Sequence, residues 1–534
     1  MTTPASLEKD FKVKDSSLDT GTARRGFLVN VSSNVSFIAA QAVVSLWMTP
    51  FLISYLGIAA FGMIPLVNTV TSYMSIFTDA LNSAVSRFLA IDLGTGDDVA
   101  ANRTFNTALF AVIGFFVALA PAIIATSVFF PVVFKVPIGW ERDASWLFAI
   151  VASTFFVTVI GGIFAISPFV YSRFLWTNIV NFTGLLARVG IVVVLFTAFQ
   201  PHLWYASWGL FIGASVSLVG YLFLWRKLTP QLRIRLFDFD RSRMRSLTAM
   251  GGWNFVNTVG ATLLNRVDLI VVNAYFGPAV TGGYSVVVQL SVLVESLATV
   301  ASTVVRPVIL LKYAREDFLG LRRIASQSVK LLGLAMALPV GLMCGFSKPL
   351  LSIWLGPSFT YLSLLLIILV SHQSLSLAVR PLLYVQNAYN KVRWPGIVTL
   401  LCGAASVAAD ILIAQWGKWG YLGIAGSTSV IWVAKNVLYM AIYTAFIMKL
   451  RWWAFLPRLT WSIIGTLFVG LAAYGVTLVY MPSNWFTLAL AAALVSLVYA
   501  GLVWAIGLDH SDKQLLRDLS PIKRTTAVRS PVKG

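Results

Sequence analysis

The sequence predicts an all-α polytopic membrane protein of about fourteen transmembrane helices, built as two six-helix lobes followed by two additional helices. Three observations predict it. The chain of 534 residues is 58% hydrophobic and 11% charged, with a mean hydropathy of +0.82, far from the balance of a water-soluble globular protein. Apolar runs long enough to cross a bilayer recur from Phe27 almost to Gly507, too continuous for the alternating segments of a membrane β-barrel. Finally, the chain repeats itself at an offset of 220, pairing Asn34 with Asn254, Tyr55 with Tyr275, Gly57 with Gly277, Gly62 with Gly282, Arg103 with Arg323 and Pro137 with Pro357. Two halves of the same orientation, related by an axis along the membrane normal, are a transporter architecture.

In chain order, residues 1–26 are polar and of mixed charge, lack the apolar core of a signal peptide, and read as a cytoplasmic tail. The first lobe, 27–227, has helices expected at 27–55, 60–90, 104–133, 144–168, 174–199 and 204–227. A basic linker, 228–246, lies within RKLTPQLRIRLFDFDRSRMR, whose seven Lys or Arg place it in the cytoplasm. The second lobe, 247–450, has helices expected at 247–276, 279–311, 324–355, 358–384, 395–415 and 420–449. Two more, at 457–480 and 484–507 within a unit spanning 451–507, precede a basic tail, 508–534.

Charge sets the orientation. Roughly 33 of the 40 Lys and Arg fall in the tails and alternate connections, about four in the opposite connections and about three within spans, which puts both termini inside the cell. The net charge of +20 therefore reflects topology and not nucleic-acid binding. The longest outward loop, 134–144, is too short to hold a folded catalytic domain. Cys344 and Cys402 lie in apolar runs and His202, His372 and His510 in three separate segments, so no disulfide, metal centre or cofactor is expected.

Polarity inside the spans is patterned. At about 100° per residue, Asn254, Thr258, Thr262, Asn265, Arg266 and Asn273 share one arc of helix 7, with Asn257 and Asp268 on its other edge. Helix 1 aligns Asn30, Asn34, Gln41 and Ser45; helix 2 aligns Asn68, Ser72, Ser75, Asp79, Asn82 and Ser86; helix 8 aligns Glu295, Thr299, Ser302 and Arg306. Singly, each Asn or Ser is explained as glue between helices. Four aligned faces at matching places in two halves predict a central polar cleft.

Charges also sit deep. Arg266 and Asp268 lie about 200° apart around their helix and cannot pair with each other, so each needs a partner or water elsewhere. Arg188 in helix 5 and Lys435 in helix 12 are each roughly 21 Å of helical rise from the nearer mouth, beyond easy snorkelling. Arg87, Arg306 and Arg380 close helices 2, 8 and 10 on the basic side, where ordinary interfacial anchoring also explains them.

The pattern YLGIAAFG (55–62), repeated as YFGPAVTGGYS (275–285), with NRVD (265–268) before the second copy and Arg306-Pro307 closing helix 8, resembles the polysaccharide-transport branch of the MOP superfamily. That branch holds the Wzx-type flippases, with MurJ and the MATE exporters as relatives, and the resemblance covers residues 25–450. It implies a V-shaped, MATE-like pair of lobes that alternates access. Its members move undecaprenyl-pyrophosphate-linked oligosaccharide or polysaccharide repeat units across the bacterial inner membrane, for O-antigen, capsule or exopolysaccharide synthesis. The implied partners are that lipid-linked glycan, membrane lipids, and the polymerase and chain-length or export proteins of such a pathway.

Arginine matches phosphate through planar bidentate hydrogen bonds. Arg87 and Arg306 are accordingly expected where a pyrophosphate headgroup enters, and Arg188, Arg266 and Lys435, with Asn34 and Asn254, along the cleft. Asp79, Asp268, Glu295 and His372 are the candidates for coupling H+ or Na+, with pairing to cleft cations the structural alternative for the acids and a hydrogen-bonded core role that for the histidine. No Walker-type loop is present, so transport is expected to draw on an ion gradient or on substrate flux. An ion-coupled small-molecule exporter of the MATE type is the alternative. It is disfavoured because helix 1 lacks the carboxylate frequent in that family and because cleft cations would repel cationic drugs. A membrane glycosyltransferase or polymerase would need catalytic groups on a substantial outer loop, so the chain is not expected to be an enzyme.

Overall fold

The computed structural model describes residues 20–171 and 173–513, apart from the side chains of residues 20–31, 77, 79–84, 236 and 246–254. Every regular element among them is helical. The first bundle comprises α1 (Thr20–Phe61), α2 (Met63–Gly94), α3 (Asp98–Val133), α4 (Glu141–Phe164), α5 (Phe174–Ala198) and α6 (Tyr205–Leu228). The second comprises α7 (Arg241–Phe276), α8 (Pro278–Ala314), α9 (Phe318–Gly345), α10 (Pro357–Ala378), α11 (Arg393–Trp416) and α12 (Gly420–Ile447). They are followed by α13 (Leu456–Val479) and α14 (Trp485–Gly507). Thirteen helices among the described residues are long and apolar enough to cross a membrane, and α2, with 32 residues, is the further long helix of the expected set.

Several spans are broken where continuous helices were expected. Arg306 and Pro307 restart α8 after a turn at Val304, because proline supplies no amide to the preceding turn and suits the first positions of a helix. α10 is interrupted at His372, and Pro381 opens a separate helix, Pro381–Ala388. The run expected at 324–355 begins earlier, at Phe318, and divides at Phe346 into α9 and a short helix, Ser347–Leu355.

Within the first bundle α1 packs on α5, α5 on α6, α6 on α4, α4 on α3 and α3 on α2; in the second, α7 packs on α11, α11 on α12, α12 on α10, and α10 on α8 and α9. α13 lies along α9, and α14 lies against α13. Small residues allow that docking: a Cβ added to Gly341 would fall 2.6 Å from Val469 Cβ, and one on Gly333 would fall 3.0 Å from Ser462 Cβ. The bundles meet along two seams, α1 with α8 and α2 with α7. A two-fold that carries α1 onto α7 and α2 onto α8 exchanges these seams.

The internal repeat is visible in the backbone. Gly57 (φ 73°, ψ 163°) and Gly277 (φ 83°, ψ 179°) both take a conformation open to glycine, Gly57 kinking α1 near its end and Gly277 capping the end of α7. Asp97 and Asp317, also 220 apart, cap the third helix of each bundle by accepting from Ala100 N at 2.9 Å and Gly320 N at 2.8 Å. The turns before these caps match bond for bond, as in Thr95 N to Ile91 O and Arg315 N to Leu311 O.

The linker between the bundles is stitched to α3. Asn102 donates to Gln231 O at 3.0 Å and accepts from Arg233 N at 2.7 Å; Asn106 donates to Arg233 O and accepts from Arg235 N, both at 2.8 Å. Asp240, which caps α7, donates its amide to Thr107 Oγ1 at 3.0 Å.

Candidate functional site

A chamber of about 950 Å³ lies between the bundles, walled by α1, α2, α5, α7 and α8, with Met343 of α9. Gln41, Ser45 and Thr49 of α1 and Asn68 of α2 face Asn265, Arg266 and Asp268 of α7 and Gln289 of α8 across it, with Arg188 entering from α5. Val35, Ile38, Leu52, Val292 and Leu297 are among the apolar residues that share the wall, so the passage is amphipathic and less polar than the helical stripes predict.

Away from the basic linker, hydrogen bonds cross between the bundles. Thr49 Oγ1 donates to Gln289 Oε1 at 2.8 Å, and Gln289 Nε2 donates to Ser45 O at 2.9 Å, joining α1 to α8. Trp354 Nε1 donates to Leu46 O at 2.7 Å. Asn273 accepts from Lys135 N at 3.0 Å and donates to Lys135 O at 3.1 Å. Toward the basic end Val35, Ile38 and Leu297 are exposed, while Arg243 and Asp92 pair at 3.7 Å across the α2–α7 seam.

Two arginines reach the chamber from opposite bundles. Arg188 is set by close packing behind it: a Cβ on Gly213 of α6 would fall 2.7 Å from Gly184 O and 3.0 Å from Arg188 Cβ, so α6 can back α5 only through glycine. Arg266 is exposed on α7. Neither takes part in an ion pair among the described residues. Both positive charges are left for water or a ligand.

Asp268, 7% exposed, is the buried member of the chamber wall and also reaches toward α11. Tyr284 Oη donates to its Oδ2 at 3.0 Å, and its carboxyl group lies beside that of Asp410 on α11. Asp410 accepts from Ser427 Oγ at 2.9 Å. Asp268 Oδ1, Asp410 Oδ2 and Thr428 Oγ1 are buried here beside one another, close enough for the two carboxyl groups to share a proton. Glycines bring the two helices this close: a Cβ on Gly403 of α11 would fall 2.7 Å from Gly260 O of α7. Two carboxyl groups this close in low dielectric cannot both stay ionised on their own: either they share a proton or a cation joins them.

The other candidates lie apart from this constellation. Glu295 Oε1 pairs with Arg380 Nη2 at 2.8 Å, and Arg380 also donates to Thr299 Oγ1 at 2.6 Å, tying α8 to the end of α10. His372 Nδ1 lies 3.2 Å from Ser376 Oγ at the break in α10. Lys435 sits on a π-turn of α12, 3.4 Å from Asn436 Oδ1 and 5.1 Å from the Trp432 ring centre, outside the chamber lining. Arg306 lies 5.9 Å from the Tyr384 ring, and Arg87 is exposed on α2. Asn34 accepts from Asn178 of α5 at 2.7 Å, a bond within the first bundle. The side chains of Asp79, Asn30, Asn82 and Asn254 lie outside the described residues.

Sequence reasoning missed Asp410, Thr428, Tyr284 and Gln289. Asp410 had a signal: a lone carboxylate in the apolar run AADILIA, the same cue that singled out Asp268. The others become visible only through their neighbours.

Two helical bundles repeated along the chain, with a chamber on their seam, define a multi-pass, all-helical membrane protein. The chain belongs to the polysaccharide biosynthesis protein family, which matches residues 27–310. It is similar to EpsK of Bacillus subtilis (strain 168), an uncharacterized membrane protein, at 29% identity over 490 residues, 92% of this chain and 97% of that protein. The lipid II flippase MurJ in an inward closed conformation superposes over 90% of this chain and 99% of its own, with a TM-score of 0.64 at 14% identity. An inward-facing multidrug resistance MATE family transporter superposes over 84% and 99%, with a TM-score of 0.55 at 12% identity. Family and fold agree: the chain is a polysaccharide biosynthesis family protein with a fold like that of MurJ and the MATE transporters.

Proposed function

We propose that this protein flips a lipid-linked, pyrophosphate-bearing glycan from the cytoplasmic to the outer leaflet of the bacterial inner membrane by alternating access, with both termini in the cytoplasm. The observation that carries this reading is the pair of arginines, Arg188 and Arg266, that reach one chamber from opposite bundles without a carboxylate partner among the described residues. A pyrophosphate offers several acceptor oxygens, and two guanidinium forks can hold it bidentately at low dielectric. The apolar share of the wall suits the lipid to which the headgroup is attached. Arg87 and Arg306 serve the entry side, Asn34 steadies α1 against α5, and Lys435 acts on the charge of the second bundle from behind the wall. A cationic drug would meet repulsion in the same chamber.

Units 27–227 and 247–450 are the moving bodies in this scheme, with 451–507 riding on the second. Asp268 lines the chamber and also touches Asp410, so the cation held by the two carboxylates, a proton or a sodium ion, links the gradient to the wall that meets the headgroup. The family supports a polysaccharide substrate, and the wider pathway partners follow from it: the polymerase and the chain-length or export proteins that receive the flipped unit. The reading is tested in cells lacking the gene. Lipid-linked glycan should accumulate in the cytoplasmic leaflet and return to the outer leaflet on complementation, and an unchanged leaflet distribution would point to another class of transporter.

A further inference from the structure

Away from the chamber, a second recess of about 300 Å³ lies at the basic end of the second bundle, between the start of α9, the α12–α13 connection and the segment after α14. Arg322 and Arg323 of α9 and Arg458 of α13 line it, together with Ser326, the buried Gln327 and Ser511. Its one acidic lining residue, Asp512, is already paired: its carboxylate lies 2.6 Å from Lys330 Nζ, with both side chains 1% exposed. Arg322 and Arg323 are exposed and join no ion pair among the described residues. Arg458 is partly engaged, 3.9 Å from Asp509 Oδ2 and donating to Ser326 Oγ at 3.2 Å, so the free guanidinium groups are those of Arg322 and Arg323; with hydroxyl and amide donors beside them they match an anion that has several acceptor oxygens.

Depth narrows the choice of anion. Trp452 and Trp453, 56% and 42% exposed in the connection that walls the recess, are residues of the membrane–water interface. Leu319, on the rim, is 82% exposed, as expected beside acyl chains. Basic recesses between spans at this depth suit anionic headgroups. We propose that the recess is a phosphate-ester binding site separate from the chamber, occupied by the headgroup of an anionic membrane phospholipid. A lipid held there bridges α9 and α13 next to the point where Asp512 fastens the end of the described chain.

The test uses the full-length protein in neutral detergent, titrated with phosphatidylglycerol, phosphatidylcholine or inorganic phosphate. Native mass spectrometry reads retained ligand, and melting temperature reads stabilisation. Phosphatidylglycerol should be retained and raise the melting temperature, and phosphatidylcholine should not. Arg322→Gln/Arg323→Gln should weaken retention about ten-fold, with Arg322→Lys/Arg323→Lys in between, whereas Arg233→Gln/Arg235→Gln, an equal charge loss on the linker, should leave it intact. Equal retention by both Gln pairs would overturn the site. Inorganic phosphate stabilising as well as the lipid would overturn the lipid as its occupant.

Discussion

Gly62 and Gly282 touch through their backbones: a Cβ on Gly62 would fall 2.6 Å from the amide nitrogen of Gly282 and 2.7 Å from its Cα. The two glycines are repeat counterparts, 220 positions apart. A residue that meets its own counterpart lies on the axis relating the repeats, so this contact marks the two-fold between α1–α2 and α7–α8.

Gly282→Ala should therefore wedge the bundles apart, since its Cβ would fall against the Ile58 carbonyl oxygen. Overpacking of this kind costs about 1–3 kcal/mol. A lowered melting temperature and reduced export are expected, with Gly426→Ala, where no atom lies within 4 Å, as the neutral control. Equal behaviour of the two variants would show that the contact is not needed.

Arg188→Gln and Arg266→Gln should each lower surface polysaccharide at least about ten-fold while the protein still inserts and accumulates, because each removes a charge-assisted bidentate contact. Lys435→Gln should be milder, since Lys435 lies outside the lining. Surface glycan staining beside an immunoblot of membranes reads this, and normal export in both arginine variants would remove the cationic-cleft assignment.

Asp268→Asn and Asp410→Asn should fold, because each relieves the repulsion between neighbouring carboxyl groups. Both should lose the response to an imposed H+ or Na+ gradient. Reconstituted vesicles with one gradient at a time provide the measurement; a response that persists in both variants would assign coupling elsewhere.

Lys330→Met should destabilise by about 3–5 kcal/mol by leaving the buried Asp512 carboxylate unpaired. The apolar pair Lys330→Met/Asp512→Leu should recover most of that loss. Thermal melts of the three proteins decide it, and a double variant no better than the single would mean that the pair contributes more than charge compensation.

Glu316 has φ 56° at the position where the first repeat has Gly96, φ 76°. Left-handed backbone costs a residue with a side chain about 1 kcal/mol, so Glu316→Gly should raise stability by about 0.5–1 kcal/mol. No gain on melting would show that the Glu316 side chain compensates.

The architecture was legible because lipid forces every span to be a long apolar helix, and hydropathy therefore outlines all of these helices but the more polar α2. The offset-220 identities were informative for a physical reason: Gly57 and Gly277 need positive φ, and Gly62 and Gly282 need backbone contact. The helix breaks were less legible, although Pro307 and Pro381 stand where two new segments begin. In the site, helical phase found the Arg266 face, but phase names a direction and not a neighbour. Asn34 follows its stripe and yet bonds Asn178, and Glu295 meets Arg380 from another helix. Asp410 was readable as a lone acid, whereas its adjacency to Asp268 depends on glycine crossings that no single segment encodes.

The stitching of residues 231–240 onto α3 leaves the cord between the bundles without slack. Reinforced by Arg243 and Asp92, that corner behaves as a door jamb, and any swing of one bundle widens the far edge, α1 against α8, most. On the proposed function, that edge is the doorway through which a lipid-linked cargo slips in sideways from the membrane, its head inside and its hydrocarbon tail still outside.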